Sequence, residues 1–275
     1  MELKLGKKPA VIDPLGRTIK LSSILIPEKL PELPPSYDLH EVYGIQDNFM
    51  FANDQYGDCV KASRAHQTLI FEAFEQGKQI QIRDQEVVDE YFYETGGLDS
   101  GLVLLYSLKD WRNDGWLVGD KIYTIYAFAS VDWKDHNQVK HAIHLLGGVN
   151  FGMMVYSKDL EQFRNGEVWD LTSNDGSLEG GHGVYLCGYD QNGLTCMTWG
   201  KRQRMTWDFW DSRVDEAYAI VDNRNHWQGD SPLDVEALDA ILEEITGETE
   251  DEPSGCCPFS RLIKAFFHGR KKIQK

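Results

Sequence analysis

The chain has 275 residues, with 44 Asp and Glu against 28 Lys and Arg, so its formal net charge at pH 7 is −16. An acidic protein repels phosphate backbones, and no nucleic-acid partner is expected. Apolar residues make up 41% and aromatic residues 12%, which is enough to bury a sizeable core and excludes a globally disordered chain. The sequence shows no apolar run long enough for a signal peptide or a membrane span, and its five cysteines have no disulfide-framework spacing. These features predict a cytoplasmic protein with free thiols.

Proline usage divides the chain into three parts. Six of the nine prolines lie within residues 1–35, and none lies from residue 36 to residue 231. Because proline cannot continue a helix or a central strand, residues 1–48 are predicted to form a largely extended arm. Residues 49–227 are the predicted globular core. Residues 228–275 are predicted to be a tail, in which an acidic stretch with a helix over residues 235–245 precedes a basic end.

Hydrophobic periodicity predicts helices in the first part of the core and strands in the second. The predicted helices cover residues 59–76, 84–93, 102–113 and 137–146. The predicted strands cover residues 122–130, 149–156, 183–189, 193–199 and 217–221. The turn signal Asp190-Gln191-Asn192-Gly193 joins two of these strands as a hairpin. Helices followed by an antiparallel sheet indicate the α+β class.

A cysteine, Cys59, begins the first predicted helix, directly after Gly57 and Asp58. At a helix N-terminus, unpaired N–H groups and the helix dipole favour negative charge, so the position predicts a lowered thiol pKa and a nucleophilic thiolate. The alternative for a lone cysteine is a small buried core residue. The glycine before it and the helix after it favour the nucleophile.

A nucleophilic cysteine needs a base nearby. His66 lies seven residues further along the same predicted helix, about 10 Å up its axis, and is a poor candidate. His182 lies in Gly180-Gly181-His182-Gly183, at the mouth of a predicted hairpin strand where glycines allow close approach. It is the predicted base, and an ordinary loop histidine is the alternative.

These segments together resemble the papain-like cysteine peptidases. The resemblance is carried by the run from Gly180 to Asp190, the strand that ends in Trp199-Gly200, the final strand at residues 217–220, and Cys59 with its helix. It covers about residues 50–222, and its Gly-Asp-Cys variant is similar to bacterial and phage members and to bacteriocin leader peptidases. The resemblance implies a helical half and an antiparallel half that meet at a cleft, and a peptidase or related thiol hydrolase that acts on a polypeptide.

Two positions depart from the family pattern. The family's oxyanion glutamine stands six residues before the nucleophile, where this chain has Asn53. The resemblance implies that the Asn53 amide and the Cys59 main-chain N–H hold the oxyanion. Counting from Trp199-Gly200 places Met197 where the family has the asparagine that orients the histidine. Since methionine cannot accept the imidazole N–H, the expected acceptor is Thr198, a water or a main-chain carbonyl.

No cofactor and no metal are expected. His136, His141 and His144 share one predicted helix, but a metal site needs further ligands and the sequence signals none. No glycine-rich phosphate loop follows a predicted strand.

The end of the chain carries an apolar stripe with helical spacing and a basic end. Its apolar residues are Phe259, Leu262, Ile263, Phe266 and Phe267. Residues 258–275 are therefore predicted to form an amphipathic helix. This helix has three possible docking surfaces: this protein's own acidic domain, a protein partner, or a membrane. Docking on a membrane would involve acylation of Cys256 and Cys257.

The competing hypothesis is a papain-like protein with little or no catalysis. Such a protein would be an assembly component, for example of a phage particle, that docks through its terminal arms and is associated with the virion. Met197 and the unusual tails favour this hypothesis, while Cys59 and His182 favour the enzyme. For the enzyme, the acidic composition predicts basic or neutral substrates. Its N-terminal arm would lie across the surface, as propeptides do in this family, or bind a partner.

Overall fold

The computed structural model describes residues 3–13, 15–46, 48–222 and 230–247. The chain divides into two compact units, Met1–Ala237 and Leu238–Lys275. In the second unit the described residues are 238–247, which belong to the last described helix. The predicted amphipathic helix at residues 258–275 lies outside the described residues. Within the described part, no helix combines the length and the apolar character needed to cross a bilayer.

Four helices lie where the periodicity predicts them. They are α2 (Cys59–Gln76), α3 (Asp84–Thr95), α4 (Leu104–Asn113) and α5 (His136–Leu146). Helix α2 is the central one, because its residues from Cys59 to Ala73 are all buried. It ends at Gly77, whose φ of 66° is the left-handed conformation that terminates helices and favours glycine.

A buried charge cluster ties α2 to α3. The side chains of Lys61 and Arg64 on α2 are 1% and 2% exposed. Both pair with Glu90 and Glu94 on α3, and Arg64 also donates to the hydroxyl of Ser107 on α4 at 2.7 Å. Buried charges are stable only when paired, so this cluster fixes the orientation of the helix that begins at Cys59.

The sheet occupies the other half of the first unit. In chain order its strands are β1 (Ile19–Lys20), β2 (Tyr37–Asp38), β5 (Ala127–Ser130), β6 (Val149–Tyr156), β7 (Leu178–Asp190), β8 (Gly193–Thr198), β9 (Lys201–Thr206) and β10 (Val214–Val221); β3 (Trp116–Val118) and β4 (Lys121–Tyr123) form a separate hairpin. The strand order is β1-β5-β10-β6-β7-β8-β9, and β2 also pairs with β7. The β1–β5 pair is parallel and the other pairs are antiparallel.

Some elements differ from the sequence-based expectation. The single strand predicted over residues 122–130 is two strands, because β4 pairs with β3 whereas β5 pairs with β10 in the large sheet. Elements not predicted are α1 (Leu39–Tyr43), α6 (Ser157–Asn165), α7 (Trp207–Arg213), the short strands β1, β2 and β3, and β9. The helix predicted over residues 235–245 is α8 (Val235–Gly247). These helices α1, α6 and α7 have 5, 9 and 7 residues, too short for a clear helical period.

The predicted N-terminal arm is packed onto the core. Its two short strands, β1 and β2, pair with β5 and β7 of the sheet. Leu21 and Ile24, between these strands, have no exposed surface. Its first described residues lie between the helical half and the sheet, where the predicted site residues also lie.

Candidate active site

Cys59 is the first residue of α2, and its sulfur lies against the strand that carries His182. The backbone N–H of Gly183, on β7, donates to Cys59 Sγ over 3.3 Å. A Cβ at position 183 would lie 3.0–3.3 Å from atoms of Val60, which is closer than side chains normally pack, so a glycine favours this approach. The two segments that the sequence analysis paired therefore lie side by side, although they are 123 residues apart in the chain, from 59 to 182.

The predicted lowering of the Cys59 pKa is wrong for this structure. Burial raises the pKa of the thiol to about 11. The backbone N–H groups of Gly183 and Gly6 oppose the rise by donating to the sulfur, while the neighbouring Asp58 adds to it. Cys59 is only 1% exposed, and a fully desolvated thiolate costs more than the helix dipole returns. The side chain is a protonated thiol at neutral pH.

His182 is oriented by a threonine. Its Nε2 lies 2.6 Å from Thr198 Oγ1, and its ring stacks on the Trp199 indole at a centroid distance of 4.0 Å. Its Nδ1 has no hydrogen-bond partner among the described residues. Burial lowers the pKa of His182 to about 3, so the imidazole is neutral. If Nε2 donates to the threonine, Nδ1 carries the free lone pair that a general base needs.

Met197 is buried in the β7–β8 ladder opposite Tyr185 and has 1% of its surface exposed. The neighbouring Thr198 is the hydrogen-bond partner of His182, one of the three acceptors that the sequence analysis left open. Successive side chains on a strand point to opposite faces, so adjacent residues 197 and 198 cannot both face the imidazole.

Asn53 lies beside the nucleophile but its amide hydrogens already have acceptors. Asn53 Nδ2 donates to the carbonyl of Tyr56 at 3.1 Å and to Asp58 Oδ1 at 3.0 Å. An amide has two N–H donors, so one of these bonds must open before Asn53 can donate to an oxyanion. Burial raises the pKa of Asp58 to about 8, so this acceptor is a neutral carboxyl at pH 7.

The cleft between the two halves is filled by residues 3–8, here called the cleft segment. On the helical side, Gly6 O accepts from Leu102 N, and Lys8 N donates to Leu102 O, both at 2.8 Å. On the sheet side, Lys7 N donates to Gly181 O at 3.1 Å. Lys7 thus pairs in parallel with Leu102 and antiparallel with Gly181, and the segment joins the two halves as a strand.

The cleft segment passes directly over the cysteine. A Cβ at Gly6 would overlap the carbonyl of Gly57, and a Cβ at Gly101 would overlap the carbonyl of Gly6. The carbonyl of Lys4 accepts from the indole N–H of Trp199 at 3.1 Å. With the segment in place, Cys59 and His182 are each 1% exposed. The family resemblance predicts, as one alternative, that the N-terminal arm lies across the surface, but the sequence does not indicate which residues enter the cleft, because a lone glycine beside lysines is common in loops.

The other histidines singled out from the sequence are not part of this cluster. His66 packs edge-on against Phe51, and burial lowers its pKa to about 3. His136 stacks on Trp207 and lies 3.0 Å from the carboxylate of Asp211. In the part of the chain that the structure describes, no three His, Cys, Asp or Glu side chains converge as metal ligands would.

No protein-family profile matches the sequence, and no curated protein matches it. Solved structures are similar to it in fold. Xylellain, a cysteine protease from Xylella fastidiosa, has a TM-score of 0.64 at 18% identity, over 81% of this chain and 97% of that chain. ProCathepsin B S9 from Trypanosoma congolense has a TM-score of 0.56 at 13% identity, over 80% and 87%. The Carica candamarcensis cysteine protease CMS1MS2, in complex with E-64, has a TM-score of 0.54 at 15% identity, over 70% and 100%.

These similarities establish the fold. The protein has the α+β fold of the papain-like cysteine peptidases, with a helical half and an antiparallel half, and the fold predicted from the sequence is confirmed.

Proposed function

We propose that the protein is a papain-like cysteine peptidase that its own cleft segment holds in a closed form. One observation carries the proposal. His182 directs Nε2 to Thr198 and keeps Nδ1 unpaired, while the next residue on its strand, Gly183, donates to the sulfur of Cys59. A neutral imidazole with one free nitrogen, carried by the strand that contacts a helix-terminal thiol, supports a role for His182 as the base in thiol acylation.

The roles follow from this geometry. His182 Nδ1 takes the thiol proton, and Cys59 Sγ attacks the carbonyl carbon of a polypeptide substrate. The Cys59 backbone N–H and one amide N–H of Asn53, released from Tyr56 or Asp58, stabilise the oxyanion. The proton returns to the leaving amine, a thioester remains on Cys59, and water attacks it to release the acid and restore the thiol.

In the closed form the reaction cannot start. The backbone of Gly6 occupies the space over Cys59, and burial keeps the thiol protonated. The cleft segment holds this position through backbone hydrogen bonds to Leu102 and Gly181 and through the indole of Trp199. Activity therefore requires residues 3–8 to leave the cleft, as propeptides do in the family that the sequence resembles.

Opening the cleft by substitution tests the proposal. In Gly6→Val the side chain meets the carbonyl of Gly57, so the segment is expelled and the hydrolysis of an unfolded protein such as reduced casein should rise about tenfold or more over the wild type. Adding His182→Ala to Gly6→Val should abolish the gain. If neither the wild type nor Gly6→Val cleaves casein or short peptides between pH 4 and pH 8, the protein is not a peptidase, and a papain-like assembly component becomes the better account.

A further inference from the structure

The Lys7 side chain points away from the cleft segment and is completely buried in an acidic pocket. Its Nζ lies 2.8 Å from Asp215 Oδ2 and 3.0 Å from Glu216 Oε1, and 0% of the side chain is exposed. The aliphatic stem crosses Gly152 on β6, where a Cβ would overlap Lys7 Cε. The pocket thus has a floor with no side chain and an end with two carboxylates.

A bulge in the backbone of β10 places both carboxylates at this end of the pocket. Consecutive side chains on a regular strand point to opposite faces, so Asp215 and Glu216 would normally diverge. The β10–β6 ladder shifts register between Val214 and Glu216, and Asp215 is the extra residue of the bulge. Both acids therefore reach the same ammonium group. Bulges of this kind commonly re-aim side chains beside functional sites.

The pocket requires a cation. Glu216 is 4% exposed, and burial raises its pKa while Lys7 opposes the rise. The Lys7 ammonium group pairs with both carboxylates, Asp215 and Glu216. When the cleft segment leaves, Glu216 keeps the hydrogen bond from the Tyr218 hydroxyl, but both carboxylates lose their ammonium partner in a pocket that Gly152 leaves open to a long side chain. A buried carboxylate that loses its cation is unfavourable.

The pocket also lies within reach of a peptide at the nucleophile. Lys7 N donates to the carbonyl of Gly181, the residue before His182, and the preceding residue of the segment, Gly6, lies against Cys59. A peptide that replaces the segment beside Gly181 would carry one of its side chains over Gly152.

We propose that the pocket formed by Gly152, Asp215 and Glu216 selects a lysine or arginine side chain of the substrate once residues 3–8 have left the cleft. The inference rests on the proposed peptidase function and names the substrate class of that site. Lys7 is the resident stand-in for the substrate cation. If the pocket serves only to hold the segment, it discriminates poorly among peptides, and the experiment distinguishes the two.

The test separates binding from cleavage. Full-length Gly6→Val, which expels the cleft segment, is combined with Lys7→Met, which keeps a side chain of similar length but no charge, and with Cys59→Ala. This chain is titrated with fluorescent hexapeptides. The peptides carry Lys, Arg, norleucine or Glu at one position at a time among alanines and glycines. At one position, Lys and Arg should bind about tenfold or more tightly than norleucine, and Glu should bind least. Lys7→Gln provides a second background if Lys7→Met does not fold.

Charge variants then locate the effect. Asp215→Asn with Glu216→Gln should reduce the preference for Lys over norleucine to less than about threefold. Gly152→Ala should do the same, because its Cβ occupies the path of the stem. Glu161→Gln removes an exposed charge on α6 that pairs with Lys158, and the preference should survive it. A preference that survives the pocket variants would overturn the proposal.

The remaining outcomes are equally decisive. Equal affinity for Lys and norleucine at every position, or no binding of any peptide, would overturn the subsite. The same peptides are offered to Gly6→Val with Lys7→Met and Cys59 intact. Cleavage without a preference would overturn the subsite while the peptidase stands. Preferential binding without cleavage would overturn the peptidase while the cation pocket stands as a peptide-binding site.

Discussion

His182 Nε2 lies 2.6 Å from Thr198 Oγ1, so a hydroxyl occupies the place where the family carries an amide that orients the histidine. The Trp199 ring stacks on the imidazole with an angle of 11° between the planes. Together the two contacts fix the direction and the plane of the ring. The absence of the expected asparagine at Met197 therefore does not leave the histidine without an orienting group.

Removing the hydroxyl should impair catalysis without moving the backbone. In an opened chain that carries Gly6→Val, Thr198→Val should lower kcat about tenfold or more. A buried donor that loses its partner costs about 1–3 kcal/mol, and the imidazole can then adopt the wrong tautomer. Steady-state hydrolysis of a fluorogenic peptide measures the effect.

The matched control is Thr198→Ser in the same opened chain, which keeps the hydroxyl and should retain most of the activity. If Thr198→Val is as active as Thr198→Ser, the hydroxyl has no part in orienting His182.

The closed form should protect Cys59 from alkylation. Burial puts the pKa of the thiol at about 11, so the thiolate is scarce at pH 6 to pH 8, and the cleft segment also blocks the reagent. Iodoacetamide at pH 7 should label Cys59 slowly in the wild type and much faster in Gly6→Val, as followed by peptide mapping and mass spectrometry. Rapid labelling of wild-type Cys59 at pH 7 would show that the cleft is not closed in solution.

The sequence predicts the scaffold of the site better than its chemical state. Helix α2 lies at residues 59–76 as predicted, because its apolar period is long and Gly77 ends it. Strand β6 lies at residues 149–156 as predicted, since it is largely apolar and two glycines separate it from the preceding helix. The raised pKa of Cys59 could not be predicted, because the burial that causes it depends on the tertiary fold. Gly6, more than 50 residues earlier in the chain, packs against Gly57 beside the cysteine.

Strand alternation explains why the sequence alone does not identify the residue that orients His182. Motif counting placed Met197 at the orienting position, but only the pairing of β7 with β8 decides which face each side chain takes. The acidic pocket could not be predicted from the sequence for a related reason. Asp215 and Glu216 are adjacent in sequence, and only a bulge in the ladder brings them to one cation.

Asp58 should make the fold less stable as the pH rises. Burial raises its pKa from 3.8 to about 8, so between these values the folded state binds a proton that the unfolded state releases. Its contribution to the free energy of unfolding therefore falls from about pH 4 to about pH 8. Asp58→Asn keeps an acceptor for Asn53 and removes the titration. Its Tm relative to the wild type should rise from pH 4 to pH 8, and a difference that is constant over this range would contradict the assignment.

The charge cluster under α2 should be sensitive to the loss of one partner. Glu94→Gln leaves Lys61 and Arg64 buried with Glu90 as their remaining α3 carboxylate, and it should lower the free energy of unfolding by about 3–5 kcal/mol. Glu161→Gln, which removes one member of an exposed pair with Lys158, should change it by about 0.5 kcal/mol or less. Urea denaturation followed by circular dichroism measures both, and similar effects of the two substitutions would contradict the cluster's role.

The acyl-enzyme tests the central claim most directly. The Gly6→Val chain is mixed with an excess of a peptide ester, quenched in acid within the first turnovers, and mapped by mass spectrometry. The account predicts a thioester on Cys59, absent when Gly6→Val is combined with His182→Ala and discharged by water on longer incubation. Ester or peptide hydrolysis with Cys59 unmodified throughout, or no acylation in any opened chain, would contradict it.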